Sequence, residues 1–274
     1  MEQDPLQRIA AALERLAPPA PSATDWHAHP AYVWDHAGVR AVPRIEAPPL
    51  ALLKGIDAQK AAVAGNVARL ASGAAAHDML LWGARGMGKS ALLRAAVAAV
   101  QAEQPGALAL VQAAPDALAS LPALFAALRA SERRFLVFLD DLGFESGDGL
   151  AARHLRSWLE GGVEARSGNV RLAVTSNRRA ILERHLSEQE DPINPRDAVD
   201  DKLALADRFG LSVGFHACSQ DDYLAIVAGY ADAAGLAWEA GDALQWAKRR
   251  GSRSGRVAWQ YVTELAGRAG KSLT

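Results

Sequence analysis

The feature that most constrains this chain is a glycine-rich segment at residues 83–90, Gly-Ala-Arg-Gly-Met-Gly-Lys-Ser. It matches the pattern G-x-x-x-x-G-K-[ST] at every fixed position, with an apolar run at 79–82 before it and a helical pattern at 90–100 after it. Glycines let the backbone curl so that successive N–H groups point inward at an anion, and the helix presents its positive N-terminus to the same anion. A chance glycine-rich turn is the alternative, but it would not require a strand and a helix in register. The segment therefore predicts a loop that encloses the phosphates of a nucleotide.

Two side chains of this loop have predicted tasks of their own. Lys89 can reach the β- and γ-phosphates, and the Ser90 hydroxyl can ligate Mg²⁺. The other contacts would come from the loop backbone and the start of the helix. The predicted nucleotide-binding residues of this segment are Gly83, Ala84, Arg85, Gly86, Met87, Gly88, Lys89, Ser90 and Ala91.

The centre of the chain alternates between apolar strands and helices. Candidate strands lie at 79–82, 107–111, 135–139, 170–174 and 211–215, and candidate helices at 57–72, 90–100, 116–130 and 149–160. Such alternation is typical of a parallel sheet with right-handed crossovers and helices on both faces. We therefore predict an α/β nucleotide-binding domain over residues 51–217.

The two ends of the chain differ from this centre. Residues 4–17 predict an amphipathic helix, and a Pro/Ala stretch follows it, so residues 1–23 form a helix and linker. Residues 24–50 hold three aromatic residues among four prolines and indicate irregular chain. Beyond Cys218, helical patterns at 220–234, 240–250 and 254–268 predict an all-helical lid subdomain over residues 218–274.

Carboxylates follow one of the buried strands. The run at 135–139 ends in Asp140 and Asp141, and the C-terminal ends of parallel strands border a nucleotide crevice. Asp140 would hold Mg²⁺, largely through water, and Asp141 could polarise the attacking water. The strand at 170–174 leads to Asn177, whose amide could orient that water. The alternative for all three residues is an ordinary polar turn at a strand end.

Composition limits the partners and the compartment. Lys plus Arg number 30 and Asp plus Glu 31, so no overall positive field attracts nucleic acid. Residues 248–256 nevertheless contain five cations, which indicate either a solvated helix end or a nucleic-acid contact. A single cysteine, an acidic N-terminus and the absence of a long apolar run predict a cytoplasmic protein that does not span a membrane.

The phosphate loop, the Asp-Asp strand, the Ser-Asn strand and the helical C-terminal segment together resemble the AAA+ division of P-loop ATPases. More closely, the segments 81–90, 139–145, 159–162, 175–179 and 201–211 resemble a bacterial family of predicted ATPases, catalogued as domain of unknown function number eight hundred and fifteen. The likeness covers about residues 30–268. It implies a three-layer αβα parallel sheet with a C-terminal helical lid.

The resemblance also implies roles for single residues. Asn177 stands at the sensor-1 position, and Arg208 resembles the arginine finger that reaches the γ-phosphate on a neighbouring subunit of a homo-oligomer. Arg256 resembles the sensor-2 arginine of the lid, and Ile56 resembles a contact of the adenine ring. The alternative for each arginine is a surface cation.

Taken together, the motifs and the resemblance predict an ATPase that hydrolyses ATP to ADP and phosphate with Mg²⁺ and thereby moves the lid or the subunits. Many AAA+ hydrolases carry Glu where this chain carries Asp141, and the shorter side chain lies about one methylene further from the water. The alternative function is therefore a slow, nucleotide-switched loader or adaptor that binds a protein or nucleic-acid partner in its ATP form.

Overall fold

The computed structural model describes residues 24–142, 167–177 and 208–273, and the structural statements below concern these ranges. The predicted helices at 4–17 and 149–160 and the Pro/Ala linker lie outside the described residues. None of the helices in the described ranges has the length and hydropathy to cross a bilayer.

A seven-stranded sheet forms the centre of the described chain, in the order β2-β1-β4-β5-β6-β3-β7. Its strands are Ala31–Asp35 (β1), Gly38–Val42 (β2), Met79–Gly83 (β3), Leu108–Ala113 (β4), Arg134–Leu139 (β5), Val170–Ser176 (β6) and Leu211–Phe215 (β7). Every pairing is parallel except that of β1 with β2. The predicted α/β class with a parallel sheet is confirmed.

Six α-helices accompany the sheet in the described ranges. They are Asp57–Ala71 (α1), Lys89–Glu103 (α2), Leu121–Arg129 (α3), Gln220–Ala233 (α4), Ala240–Arg249 (α5) and Gly255–Arg268 (α6). Short 3₁₀ turns occur at Leu50–Leu52 and Pro115–Ser120. The prediction of one helix over 116–130 is therefore corrected, because a proline at the second position of α3 and another at the start of the preceding turn divide this stretch into two pieces.

The strands are apolar on both faces because helices cover both sides of the sheet. On one face, Met79, Leu81 and Phe138 pack with the α1 and α2 side chains and with apolar residues of α4 to α6. On the other face, Leu80 and Val137 belong to a second core that includes α3. Neighbouring residues of one strand thus enter different cores, as the pleat requires.

The prediction of irregular chain over 24–50 is wrong. The prolines lie outside the two strands, with Pro30 before β1 and Pro43 after β2, so they leave the ladder bonds of both strands intact. Tyr32 is 1% exposed, and the Arg133 guanidinium donates to the carbonyl oxygens of Trp26 and His29 at 2.7 Å each. This anchor holds the segment before β1, and the hairpin itself joins the sheet through the parallel pairing of β1 with β4.

The three C-terminal helices lie where the sequence predicts them, and they pack on one another. Ser219 and Asp222 form a capping box at the start of α4, and the Tyr223 hydroxyl donates to the Ala243 carbonyl at 3.2 Å. We call α4 to α6 the lid. Its buried side chains join the core that also contains α1 and α2. The division of the chain into domains stays a prediction.

Candidate functional site

The C-terminal ends of three parallel strands lie side by side, and we call this side of the sheet its C-terminal edge. Strand β6 lies between β3 and β5, and all three run parallel. The residues after them, Ala84, Asp140 and Asn177, therefore leave the sheet side by side. The adjacency of β3 and β6 is a property of the topology and cannot be read from the order of the strands in the chain.

The glycine loop is held against strand β7. Gly83 has φ +118°, and a Cβ atom there would lie 2.1 Å from the Phe215 carbonyl oxygen. That oxygen accepts a hydrogen bond from the Ala84 N–H at 2.8 Å. Gly86 and Gly88 also have positive φ, at +74° and +89°. Only glycine adopts such a sequence of conformations without strain, which explains the glycine spacing of the motif.

Lys89 is 6% exposed at the start of α2, although its side chain carries a charge. Its ammonium group donates to the carbonyl oxygens of Gly83 and Ala84 at 2.9 and 2.8 Å and to Asn177 Oδ1 at 3.0 Å. Burial lowers the pKa of Lys89, and the carboxylates of Asp141 and Asp140 oppose this shift. A buried ammonium group of this kind interacts strongly with an anion that enters beside it.

Asp140 is positioned by two hydroxyl groups. Ser90 Oγ donates to Asp140 Oδ1 at 2.6 Å, and Thr175 Oγ1 donates to the same oxygen at 2.7 Å. Thr175 Oγ1 also accepts the Asp141 N–H at 2.8 Å. Thr175 thus positions both aspartates. Sequence analysis did not assign it a role, and the signal for one was its place two residues before Asn177 at the end of an apolar strand.

Asn177 links the lysine to the second aspartate. Its Oδ1 accepts from Lys89 Nζ, while its Nδ2 donates to the Asp141 carboxylate. Asp141 has φ +53°, the only positive φ of a non-glycine residue in the described ranges. Strained backbone of this kind persists where surrounding contacts impose it. Here the Thr175 hydroxyl and the Asn177 amide supply those contacts.

A cavity of about 670 Å³ opens beside this edge of the sheet. Its polar end contains Lys89, Ser90 and both aspartates. The rest of its lining, which we call the apolar end, consists mainly of apolar side chains from the segment before α1, from helix α2 and from the lid. The apolar side chains there are Pro48, Pro49, Leu52, Leu53, Ile56, Met87, Ala91, Ile226, Tyr230 and Trp259.

The lid touches the glycine loop directly. The Arg256 N–H donates to the Gly86 carbonyl oxygen at 3.1 Å. A Cβ atom on Gly86 would lie 2.9 Å from Ser254 Oγ, and one on Gly255 would lie 3.2 Å from the Gly86 oxygen. The first turn of α6 therefore rests on the loop backbone, and Arg256 lines the cavity. Sequence analysis missed Ile226, Tyr230 and Trp259, because no motif marks an apolar contact from another element.

The remaining predicted residues take various places. Ile56 is buried and lines the apolar end. Gly83, Ala84 and Arg85 are not among the described lining residues of the cavity, although the first two accept hydrogen bonds from Lys89. Arg208 precedes β7 and so lies toward the N-terminal ends of the parallel strands, whereas the glycine loop lies at their C-terminal ends. Arg208 does not line the cavity of its own chain. The roles of all these residues stay predictions.

The residues present fit a nucleotide and a magnesium ion. Gly88 has open space around the position of a Cβ atom, with Ile56 Cδ1 at 3.8 Å, so the loop offers room for phosphates beside its backbone. Ser90 and Asp140 supply hard oxygen donors of the kind Mg²⁺ prefers. The described residues contain no cluster of three or more His, Cys, Asp or Glu side chains able to hold a metal alone. Magnesium bound here would accordingly take further oxygens from phosphate and water.

The sheet order, the glycine loop and the lid define the chain as a protein of the AAA+ P-loop fold, and solved structures agree. RuvB, the Holliday junction branch migration motor of Thermotoga maritima, matches with a TM-score of 0.51 and 14% identity, over 81% of this chain and 66% of that chain. The Orc1 protein of Aeropyrum pernix, solved in complex with DNA, matches with a TM-score of 0.58 and 14% identity, over 79% of this chain and 61% of that chain. This chain thus spans less than two thirds of either solved chain, and the likeness concerns the fold.

The chain belongs to the family described as "Protein of unknown function (DUF815)", whose sequence model matches residues 27–269. The predicted family and the predicted fold are confirmed. A search of curated proteins gave no significant match.

Proposed function

We propose that this protein binds ATP with Mg²⁺ in the cavity and hydrolyses it to ADP and phosphate. The observation that carries the proposal is the convergence of Lys89, the Ser90–Asp140 pair and the Asp141–Asn177 pair at one edge of the sheet. Lys89 and Ser90 begin α2, while the other residues follow β5 and β6, and hydrogen bonds join Lys89 to Asn177, Ser90 to Asp140 and Asn177 to Asp141. Phosphoryl transfer to water requires phosphate binding, a metal site and a positioned water, and this edge offers residues for each.

Each of these side chains has a separate role in the proposed reaction. The Lys89 ammonium group exchanges carbonyl partners for β- and γ-phosphate oxygens. Ser90 and Asp140 hold Mg²⁺, which when bound neutralises charge on the phosphates. Asp141 accepts a hydrogen bond from the attacking water, and Asn177 orients that water or the γ-phosphate. These roles agree with the positions of the side chains.

The apolar end of the cavity suits the base and sugar of the nucleotide. Ile56 from the core and Ile226 and Tyr230 from the lid would enclose the base. Since the lid supplies part of this wall and also contacts Gly86, nucleotide binding would fix the lid against the core. Arg256 would add a positive charge near the phosphates, and release of phosphate would free the lid to move.

Arg208 would act on a neighbouring subunit. It lies away from the cavity of its own chain, so a role at the γ-phosphate requires a homo-oligomer. An arginine that enters a phosphoryl-transfer site from another subunit stabilises the charge that builds up in the transition state.

A slow nucleotide switch is the second candidate function. The Asn177 amide engages the Asp141 carboxylate, and an aspartate rather than a glutamate stands at this position. A carboxylate that is short and already engaged is poorly placed to activate water. In this case the ATP form would bind a protein or nucleic-acid partner, and hydrolysis would be slow.

The binding proposal is tested by a titration of the protein with Mg-ATP, Mg-ADP and Mg-GTP, followed by calorimetry or tryptophan fluorescence. Trp259 lines the cavity, whereas the Trp82 indole donates to Ser212 Oγ at 3.0 Å and does not line it. We therefore expect Trp259 to report binding. Lys89→Ala should lose ATP affinity by about a hundredfold or more, whereas Lys60→Ala, which removes an ammonium group of α1 that pairs with Asp57 and does not line the cavity, should bind normally. Failure of all three nucleotides to bind would refute the proposal.

Phosphate release separates hydrolysis from a slow switch. Asp141→Asn should bind Mg-ATP and lose hydrolysis, and Arg208→Ala should bind normally and hydrolyse poorly. If the unmodified protein binds Mg-ATP tightly but turns over no faster than Asp141→Asn, the switch is the better description. Full activity of Arg208→Ala would contradict a shared site.

A further inference from the structure

The lid carries a second recess, which shares Trp259 with the nucleotide cavity. An open groove of about 650 Å³ runs between α5 and α6, and Trp246, Arg250, Trp259 and Arg268 contribute its large side chains. Trp259 is 41% exposed and is the only large apolar side chain so exposed in the described chain. Exposed apolar surface that is grouped in a groove and rimmed by polar side chains, as here, marks an interaction site.

The groove includes Arg250, which belongs to a strongly basic segment of the chain. Helix α5 ends in Lys248 and Arg249, Arg250 follows at its C-cap, and Arg253 lies in the turn before α6. All four side chains are exposed. The one acidic side chain in the groove lining is Glu264, whose carboxylate accepts from Arg268 Nε at 2.8 Å. The groove lining therefore holds two arginines against one glutamate and carries a net positive charge, although the whole chain has a net charge of −1.

Arginine and tryptophan are already combined within the groove. The Arg250 guanidinium lies 4.9 Å from the centre of the Trp246 ring, in a cation–π contact. Trp259 makes an edge contact with Tyr230 at 5.1 Å, which fixes its ring while leaving part of it exposed. The groove thus presents planar aromatic surface beside cations that are held in position.

We propose that this groove binds single-stranded nucleic acid. Phosphates would pair with Arg250 and Arg268, which line the groove, and an unpaired base would stack on Trp259. Sites for single strands combine a basic groove with aromatic rings, because the rings are available to bases only when the bases are not stacked in a duplex. An acidic peptide would satisfy the cations but would not use the exposed ring. The inference does not depend on ATP hydrolysis, since Arg250 and Arg268 do not line the nucleotide cavity.

The test is fluorescence anisotropy with the full chain, a labelled oligothymidylate and a series of salt concentrations. We expect the logarithm of the affinity to fall linearly with the logarithm of the salt concentration, with a slope of about −0.7 for each phosphate contact. Arg250→Glu should weaken binding by about tenfold or more and reduce this slope. The matched control is Arg40→Glu, the same charge change on the exposed edge strand β2, at the end of the sheet opposite β7. It should bind like the unmodified protein.

The aromatic part of the proposal needs its own variants. Trp259→Ala should weaken binding of the oligonucleotide by about tenfold, and Trp259→Phe should retain most of it, because both rings stack on a base. A thermal melt of each variant shows whether the lid is still folded. A Mg-ATP titration of Arg250→Glu should match that of the unmodified protein, which separates this groove from the nucleotide cavity.

Three results would overturn the proposal. The first is no binding of the oligonucleotide at low salt. The second is equal binding by Arg250→Glu and Arg40→Glu. The third is that a duplex of the same sequence or polyglutamate competes with the oligonucleotide as well as an unlabelled single strand does. This would show that the surface binds any polyanion and does not recognise unpaired bases.

Discussion

The two ends of the nucleotide cavity are built by different forces. At the polar end, Lys89 donates to Asn177 at 3.0 Å, and Asp140 accepts from Ser90 and Thr175 at 2.6 and 2.7 Å. At the apolar end, Ile56 precedes α1 and Tyr230 lies in the lid, and both line the cavity. Hydrogen bonds depend steeply on geometry, whereas apolar burial has no direction.

This difference indicates how well each end of the cavity should tolerate a substitution. A buried polar group that loses its partner costs the full desolvation of that group, so a single change at the polar end should be severe. When a side chain of an apolar wall is shortened, the affinity for the ligand falls roughly in proportion to the apolar area lost, so the effect of a substitution there should be graded. The four predictions below test that contrast.

The largest effect is expected at Gly83, where the loop touches β7. Gly83→Ala would place a Cβ atom 2.1 Å from the Phe215 carbonyl oxygen, and backbone cannot yield as a side chain does. We expect a loss of more than about 4 kcal/mol in the free energy of unfolding, measured by chemical denaturation. The control is Gly38→Ala, where φ is nearly the same, at +117°, but no atom lies within 4 Å. It should cost only the backbone strain, about 1–2 kcal/mol. Equal losses would show that the close approach to β7 is not important.

A smaller but still severe effect is expected at Thr175. Thr175→Val removes a hydroxyl that donates to Asp140 and accepts from the Asp141 N–H. The unfolding free energy should fall by about 1–3 kcal/mol. If the proposed function holds, hydrolysis should fall by about a hundredfold, because displacement of a reacting group by about 1 Å has effects of this size. Thr175→Ser keeps the hydroxyl and should restore most of both quantities. Unchanged phosphate release in Thr175→Val would contradict the positioning role.

At the apolar end the expected change is moderate. Tyr230→Ala should weaken Mg-ATP and Mg-ADP binding to the same extent, by about tenfold, because the ring is in the wall around the base and contacts Trp259. Calorimetric titration measures both affinities. Tyr230→Phe should bind nearly normally, since it keeps the ring. A loss confined to ATP would mean that Tyr230 senses the γ-phosphate, and the contrast between the two ends would fail.

The smallest effect concerns the charge on Lys89. Burial lowers its pKa below the ordinary 10.5, so between the folded and unfolded pKa values the unfolded chain binds more protons. In that alkaline window the unfolding free energy of the nucleotide-free protein should rise with pH on account of this group. Lys89→Met should lack this contribution. The measurement is the difference in unfolding free energy between the two proteins as a function of pH. A difference that stays constant up to pH 10.5 would contradict the shift.

Sequence reasoning named the residues that meet at the polar end of the cavity and missed most of those at the apolar end. The loop at 83–90 and Asp140 were identified because their chemistry demands particular residue types at fixed spacing. Ile226, Tyr230 and Trp259 were missed because many apolar residues could form such a wall. The hairpin at 31–42 was misread because proline content suggested irregular chain, whereas the prolines only flank the strands.

By itself the sequence determined the α/β class, the glycine loop and the order of the described strands and helices from α1 onward, since these depend on local periodicity and on residues that adopt positive φ. Tertiary structure alone decided that β6 lies between β3 and β5, that Thr175 joins Asp140 to Asp141, and that the first turn of α6 rests on Gly86. The physical reason is the distance along the chain over which each kind of interaction acts. Local patterns are set within a few residues, whereas strand order and contacts between distant elements depend on how whole surfaces pack, and no short stretch of sequence encodes that.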